Sequence, residues 1–152
     1  VEKIIFKSEE NSYMKLYIFK TIRADNNDEK LQDKILGLWE SFREEYNTED
    51  FSLYQVYHDY EGDYRKPYSV SLVVKEEPSE EDGKWPEIEW DADNKVTFES
   101  LGEDDLLKTW QHIWKLEDEG KLKRNYTVDV EEYLETGEVI IYIDGKINPE
   151  NQ

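Results

Sequence analysis

The chain of 152 residues has no cysteine, which removes disulfides, thiolate nucleophiles and cysteine-based zinc sites from consideration. Its two histidines, His58 and His112, lie far apart without local ligand spacing, so no metal centre is expected. The seven glycines form neither a P-loop nor a dinucleotide fingerprint, and no cofactor is expected. "DADNKVTFESLGE" starts like a calcium loop, but Val96 stands where glycine is required and Gly102 where the bidentate acid belongs. No apolar run approaches a membrane span, and "VEKIIFKSEE" lacks the layout of a secretion signal. With the missing cysteines this makes a cytoplasmic location the expectation, and the sequon "NYT" at 125–127 a coincidence. Basic residues are scarce, 19 against 38 acidic, for a formal net charge of −19. Phosphate contacts need clustered Lys and Arg, so neither nucleic acid nor anionic membrane is an expected partner.

Aromatic residues are abundant instead: five tryptophans and eleven tyrosines. Acidic disordered chains lack them, so the sequence reads as one folded domain over 1–152 with rings to spare. Two segments carry a helical stripe. In "NDEKLQDKILGLWESFREEY" it runs through Leu31, Ile35, Leu38, Trp39 and Phe42; in "EDDLLKTWQHIWKLEDEG" through Leu106, Trp110, Ile113 and Trp114. Asn26 with Glu29, and Ser100 with Glu103, have the spacing of capping boxes, and Gly120 offers a stop.

Strand patterns precede and follow each helix: "YMKLYIFKTIRA", then "FSLYQVYHDY" and "PYSVSLVVKE"; "NKVTFESL", then "RNYTVDVEEYL" and "GEVIIYID". The order strand, helix, strand, strand thus occurs twice, over about 13–76 and 94–144. An α+β fold follows: duplicated units forming an antiparallel sheet, two helices on one face, a cleft between the halves. Trp39 is paired with Trp114 as a repeat position, and "LYQVY" with "NYTVD". The stretch 76–91 reads as an acidic connection lying over the surface, and "GKINPENQ" as a frayed end.

Alternation along "RNYTVDVEEY" places Tyr126, Val128 and Val130 on one side, and Asp129, Glu131 and Tyr133 on the other, away from the helix-packed core. Rings around one carboxylate suit a flat organic cation, since the rings stack and the acid supplies counter-charge. Tyr57, Tyr60 and Tyr68 come from a tyrosine-rich segment, and Trp85 or Trp90 is expected to line or lid the cleft. The Trp110–Trp114 pair reads as core, with Trp114 a possible cleft floor.

The run "KILGLWESF", "YQVYHDYEGDYRKPYSVSLVV", "WQHIW", "RNYTVDVEEY…EVIIYID" resembles the GyrI-like small-molecule-binding domain, or AraC-type effector-binding domain, from about Met14 to Asp144. That family's pattern of basic residue, aromatic, acid–apolar–Glu and tyrosine falls on Arg124, Tyr126, Asp129, Val130, Glu131 and Tyr133, with Val130 departing from its usual aromatic. The resemblance implies a glutamate in an aromatic pocket that receives amphipathic, often cationic, drugs or effectors, hence multidrug binding related to transcription regulation. It also implies a stand-alone member, since no DNA-binding module is recognisable; the oligomeric state stays open between monomer and homodimer, an exposed strand edge permitting the latter. A hydrolytic branch of the superfamily, opening strained cyclopropane-type rings, makes Glu131 and Tyr133 catalytic candidates, with Tyr57 a substitute for Tyr133. An acidic surface docking a basic protein is a third reading.

Overall fold

In the computed structural model, which describes residues 13–148 apart from the Glu103 side chain, both stripes become helices: α1 spans Leu31–Glu45 and α2 Glu103–Asp118. Among the described residues, nine strands surround them. β1 is Tyr13–Ala24, β2 Leu53–His58, β3 Tyr68–Val74, β4 Glu87–Asp91 and β5 Val96–Ser100. β6 is Leu122–Arg124, β7 Asp129–Tyr133, β8 Val139–Ile143 and β9 Gly145–Ile147. Seven form one antiparallel sheet in the order β4-β1-β3-β2-β7-β8-β5, and β6 pairs with β9 apart from it.

The order contains its own symmetry. Units β1-α1-β2-β3 and β5-α2-β7-β8 are laid out as β1-β3-β2 and, mirrored in sequence along the sheet, β7-β8-β5. They join at the antiparallel ladder between β2 and β7. Directly opposed residues share a face, so register defines one row across five strands: Leu72, Gln55, Glu131, Ile141, Phe98. Its apolar flanks lie under the helices. Leu38 and Phe42 of α1 pack with Leu72, and Ile113 of α2 with Ile141. Gln55 and Glu131 occupy the middle of the row, where the two helical covers meet.

The opposite face gathers Leu16, Tyr54, Val56, Val73, Trp90 and Val130 into a second cluster. Trp90 comes from the edge strand β4, yet its ring meets Tyr142 of β8 edge-on at 4.9 Å. The sheet therefore curls into a half-barrel around Trp90.

Four expectations need correction. The stretch 76–91 is not all surface connection: 87–91 is β4, paired with β1 through Met14–Trp90 and Leu16–Ile88. "RNYTVDVEEYL" is not one strand, because Tyr126 adopts φ +56° and the ladder begins only at Asp129. The turn at Tyr126 swings its ring beside Tyr60 and under Arg124, so it does not share the face of Val130. Residues 145–147 of the tail are β9. A Cβ on Gly145 would stand 2.3 Å from the Lys123 carbonyl, so only glycine allows that approach; 149–152 lie outside the described residues.

Neither capping box forms as read. α1 starts after Lys30, and the Asn26 amide instead donates to the Tyr64 carbonyl at 2.7 Å. α2 starts after Gly102 with no side-chain cap; Ser100 donates to the Gly102 carbonyl at 2.8 Å, and the Glu103 side chain lies outside the described residues. Gly120 does end α2, with φ +74°.

Candidate ligand-binding site

Between the helices and the middle of the sheet lies a cavity of about 710 Å³. Its floor is the Gln55–Glu131 pair with Tyr57 and Tyr133, two residues further along each strand. The apolar stripe of α1 supplies one wall through Leu31, Ile35 and Trp39; α2 supplies the other through Leu106, Trp110 and Trp114. Helical periodicity brings these side chains out of water, but they face a void rather than a strand.

Glu131 is completely buried. Trp110 Nε1 donates to its Oε2 at 2.6 Å, Tyr57 to the same oxygen at 2.8 Å, and Tyr133 to Oε1 at 2.5 Å. All three donors are neutral. Burial pushes the Glu131 carboxyl above its ordinary range, while these hydrogen bonds pull the other way. Burial first, then the Glu131 charge, push the Tyr57 phenol well above its ordinary value, so it stays protonated and donating.

The two halves match residue by residue around this point. Trp39 Nε1 donates to Gln55 Oε1 at 2.7 Å, as Trp110 does to Glu131. Trp39 meets the ring of Tyr133 edge-on at 4.8 Å, and Trp110 meets Tyr57 edge-on at 5.3 Å. Each tryptophan thus bonds its own half and packs on a tyrosine of the other. The repeat partner of Trp39 is therefore Trp110, not Trp114, and "LYQVY" corresponds to "DVEEY", not "NYTVD". Trp39 and Trp114 do lie on one side of the sheet, as helices on one face require. Placing Glu131 away from the helices was wrong: it points at α2.

One end of the cavity is closed by the loop 59–67. Tyr64 stacks on Trp114 at 5.3 Å, nearly parallel, and donates to Asp118 at 3.0 Å. Behind it sits a buried ion pair. Arg124 Nη2 donates to Asp129 at 2.7 Å, Tyr60 donates to the same carboxylate at 2.6 Å, and the Asp144 amide takes its other oxygen at 2.9 Å. Tyr68 donates to Asn26 beside it. At the mouth stand Asp28, paired with Lys34 at 2.6 Å, Glu29, Asp104 and Arg43, with the exposed side chains of Leu36 and Leu107.

Of the residues expected at a site, the cavity brings together Glu131, Tyr133, Tyr57, Tyr60, Tyr68 and Trp114. Trp85 and Trp90 do not line it. Trp85 packs on Phe19 and Tyr46, and Trp90 plugs the half-barrel on the opposite face. Trp39, Trp110 and Gln55 were missed. Their signal is the repetition of Gln55–x–Tyr57 as Glu131–x–Tyr133, four residues out of register with the pairing of "LYQVY" and "NYTVD". Among the described residues no cluster of His, Asp and Glu is arranged to hold a metal, and no helix is long and apolar enough to cross a membrane.

No family model and no curated protein matches the chain. Solved structures do share its fold. An integron cassette protein from the mobile metagenome of Vibrio cholerae is similar at 24% identity and a TM-score of 0.74, over 89% of this chain and 92% of its own. A protein designated SAV2435, solved bound to tetraphenylphosphonium, is similar at 13% identity and a TM-score of 0.60, over 89% of this chain and 90% of its own. At these identities the likeness establishes the fold: a curled antiparallel sheet carrying two helices.

Proposed function

We propose that the cavity binds amphipathic, aromatic small molecules carrying positive charge, and that the chain is a GyrI-like effector-binding domain used to sense or sequester them. The observation that carries this is Glu131: a fully buried carboxylate at the floor of an aromatic cavity, held by three neutral donors. Desolvating a carboxylate is costly, and a bound cation offsets that cost. Trp39, Trp110, Tyr57 and Tyr133 around it offer ring faces and edges to a flat or phenyl-bearing cation, each contact worth about 0.5–2 kcal/mol. The complex of the similarly folded SAV2435 with tetraphenylphosphonium, an aromatic cation, supports the same reading.

Hydrolysis by Glu131 and Tyr133 is the weaker alternative. A general base must reach a water, but both carboxylate oxygens are occupied by donors at 2.5–2.8 Å. The acidic mouth suits attraction of cations better than docking of a basic protein, because its charges surround the opening of a deep cavity.

The test is calorimetric titration with tetraphenylphosphonium and neutral triphenylphosphine oxide. Glu131→Gln keeps the shape and removes the charge. It should weaken the phosphonium by about 1.5–3 kcal/mol and leave the oxide unchanged. Equal, unaltered affinities in the variant would sink the proposal, and a changed ligand mass after incubation would favour hydrolysis.

A further inference from the structure

We infer that Gln55 sets the charge capacity of the floor at one, so that the ligand class is monocationic, with a neutral group over the β2 side. The inference rests on the cavity being an organic-cation site and adds which cations it takes. An indole N–H only donates, so Trp39 Nε1 at 2.7 Å fixes the Gln55 amide with its oxygen toward α1. The amide NH2 must then face Tyr57, and Gln55 Nε2 donates to that hydroxyl at 2.7 Å. Tyr57, already accepting from Gln55, spends its own proton on Glu131 at 2.8 Å. One chain of hydrogen bonds therefore runs from α1 through Gln55 and Tyr57 to Glu131, where Trp110 of α2 meets it. Every proton in the chain is directed toward the single carboxylate.

The pseudo-twofold places Gln55 where a second Glu131 would stand. Opposed residues of an antiparallel ladder hold their Cβ atoms about 4.5–5.5 Å apart. Both Gln55 and Glu131 are buried, at 2% and 0% exposure. Two carboxylates at that spacing out of water cannot both ionise unless a second positive charge enters with the ligand. Glutamine keeps the size and the hydrogen bond to Trp39 while removing that requirement. A second cationic head would lie over an amide whose oxygen is already engaged and whose NH2 repels it. Gln55 thus acts as a specificity-determining residue.

The experiment titrates tetraphenylphosphonium and a bis-quaternary probe, two N-methylquinolinium rings on a short alkyl linker. The proteins are wild type, Gln55→Glu, Glu131→Gln and the transposed variant carrying both substitutions. Gln55→Glu should raise the affinity ratio of the bis-cation to tetraphenylphosphonium by about tenfold, the worth of one charge-assisted contact. The transposed variant keeps one floor charge and should recover, by about tenfold, the phosphonium affinity that Glu131→Gln loses. Should Gln55→Glu fail to fold, as judged by circular dichroism, the transposed variant decides alone. An unchanged ratio, or a transposed variant no better than Glu131→Gln, overturns the role of Gln55 while the cation-site reading stands on the loss in Glu131→Gln. If Glu131→Gln loses nothing, both readings fall together.

Discussion

Glu131 carries a proton-linked consequence of its burial. Its carboxyl is pushed above the ordinary value of 4.5, first by desolvation, with three hydrogen bonds opposing. The folded state therefore holds this proton more tightly than the unfolded chain. The stabilisation is complete below the ordinary carboxylate value and is lost as pH rises through the raised folded value. Glu131→Gln escapes that loss. The unfolding free energy of the ligand-free variant, from urea titration, should therefore gain on wild type as pH climbs through this window, by about 1.4 kcal/mol for each pH unit of displacement. A cation needs the ionised form, so tetraphenylphosphonium affinity should rise with pH over the same window in wild type and stay flat in the variant. Parallel pH curves for the two proteins would refute the linkage. Glu131 itself was legible from strand alternation and the family resemblance, but its direction was not. Alternation separates two faces without saying which one the helices cover, and a buried polar row reads like a solvated one until the cover is known.

At the scale of elements, β7 is anchored at its first residue. Asp129 is fully buried and receives Arg124, Tyr60 and the Asp144 amide, so the turn at 124–128, β6 and the bend after β8 converge on one carboxylate. Asp129→Asn would leave the Arg124 guanidinium buried, with Glu117 at 3.6 Å as its remaining acid. Breaking a buried pair from one side costs about 3–5 kcal/mol, which chemical denaturation should show as a lowered midpoint. Replacing Asp129 with Leu and Arg124 with Met together should cost less, since no orphan charge remains. Both helices, β1 and the doubled order of elements were readable because each rests on a long periodic pattern. β4 was not, although Ile88 and Trp90 alternate with Glu87 and Glu89, because two prolines and an acidic run dominated the segment. β6 and β9 have three residues each, too short for any period to register. The Trp110–Trp114 pair reads as core because a stripe records which side chains leave water, not whether a strand or a void meets them.

The whole molecule adds a long-range field. With a net charge of −19 and Asp28, Glu29 and Asp104 around the mouth, a cationic ligand of the proposed kind would be drawn in before contact. Stopped-flow association of tetraphenylphosphonium should slow with added salt, while triphenylphosphine oxide associates at a salt-independent rate. Glu131→Gln should keep most of that salt slope, because it removes one charge of many and acts on dissociation. A salt slope shared by the neutral ligand would contradict steering. Composition made the field legible at once. The cavity it serves was not, because its walls come from both halves and depend on how far apart two helices ride above the sheet.

The interlocked tryptophans have a meaning in time as well as in space. Within the seven-stranded sheet the halves meet at the β2–β7 ladder, and Tyr57 and Glu131 are 74 positions apart along the chain. Trp39 leans on Tyr133 and Trp110 on Tyr57, so neither half owns a finished floor. On the proposed function, the capacity to bind is the property expected to appear only once this long-range closure is complete. It is also the first lost if the halves part. A ligand in the cavity would act as a clasp across that seam, stabilising the closed molecule by RT ln(1 + L/Kd) at free ligand concentration L.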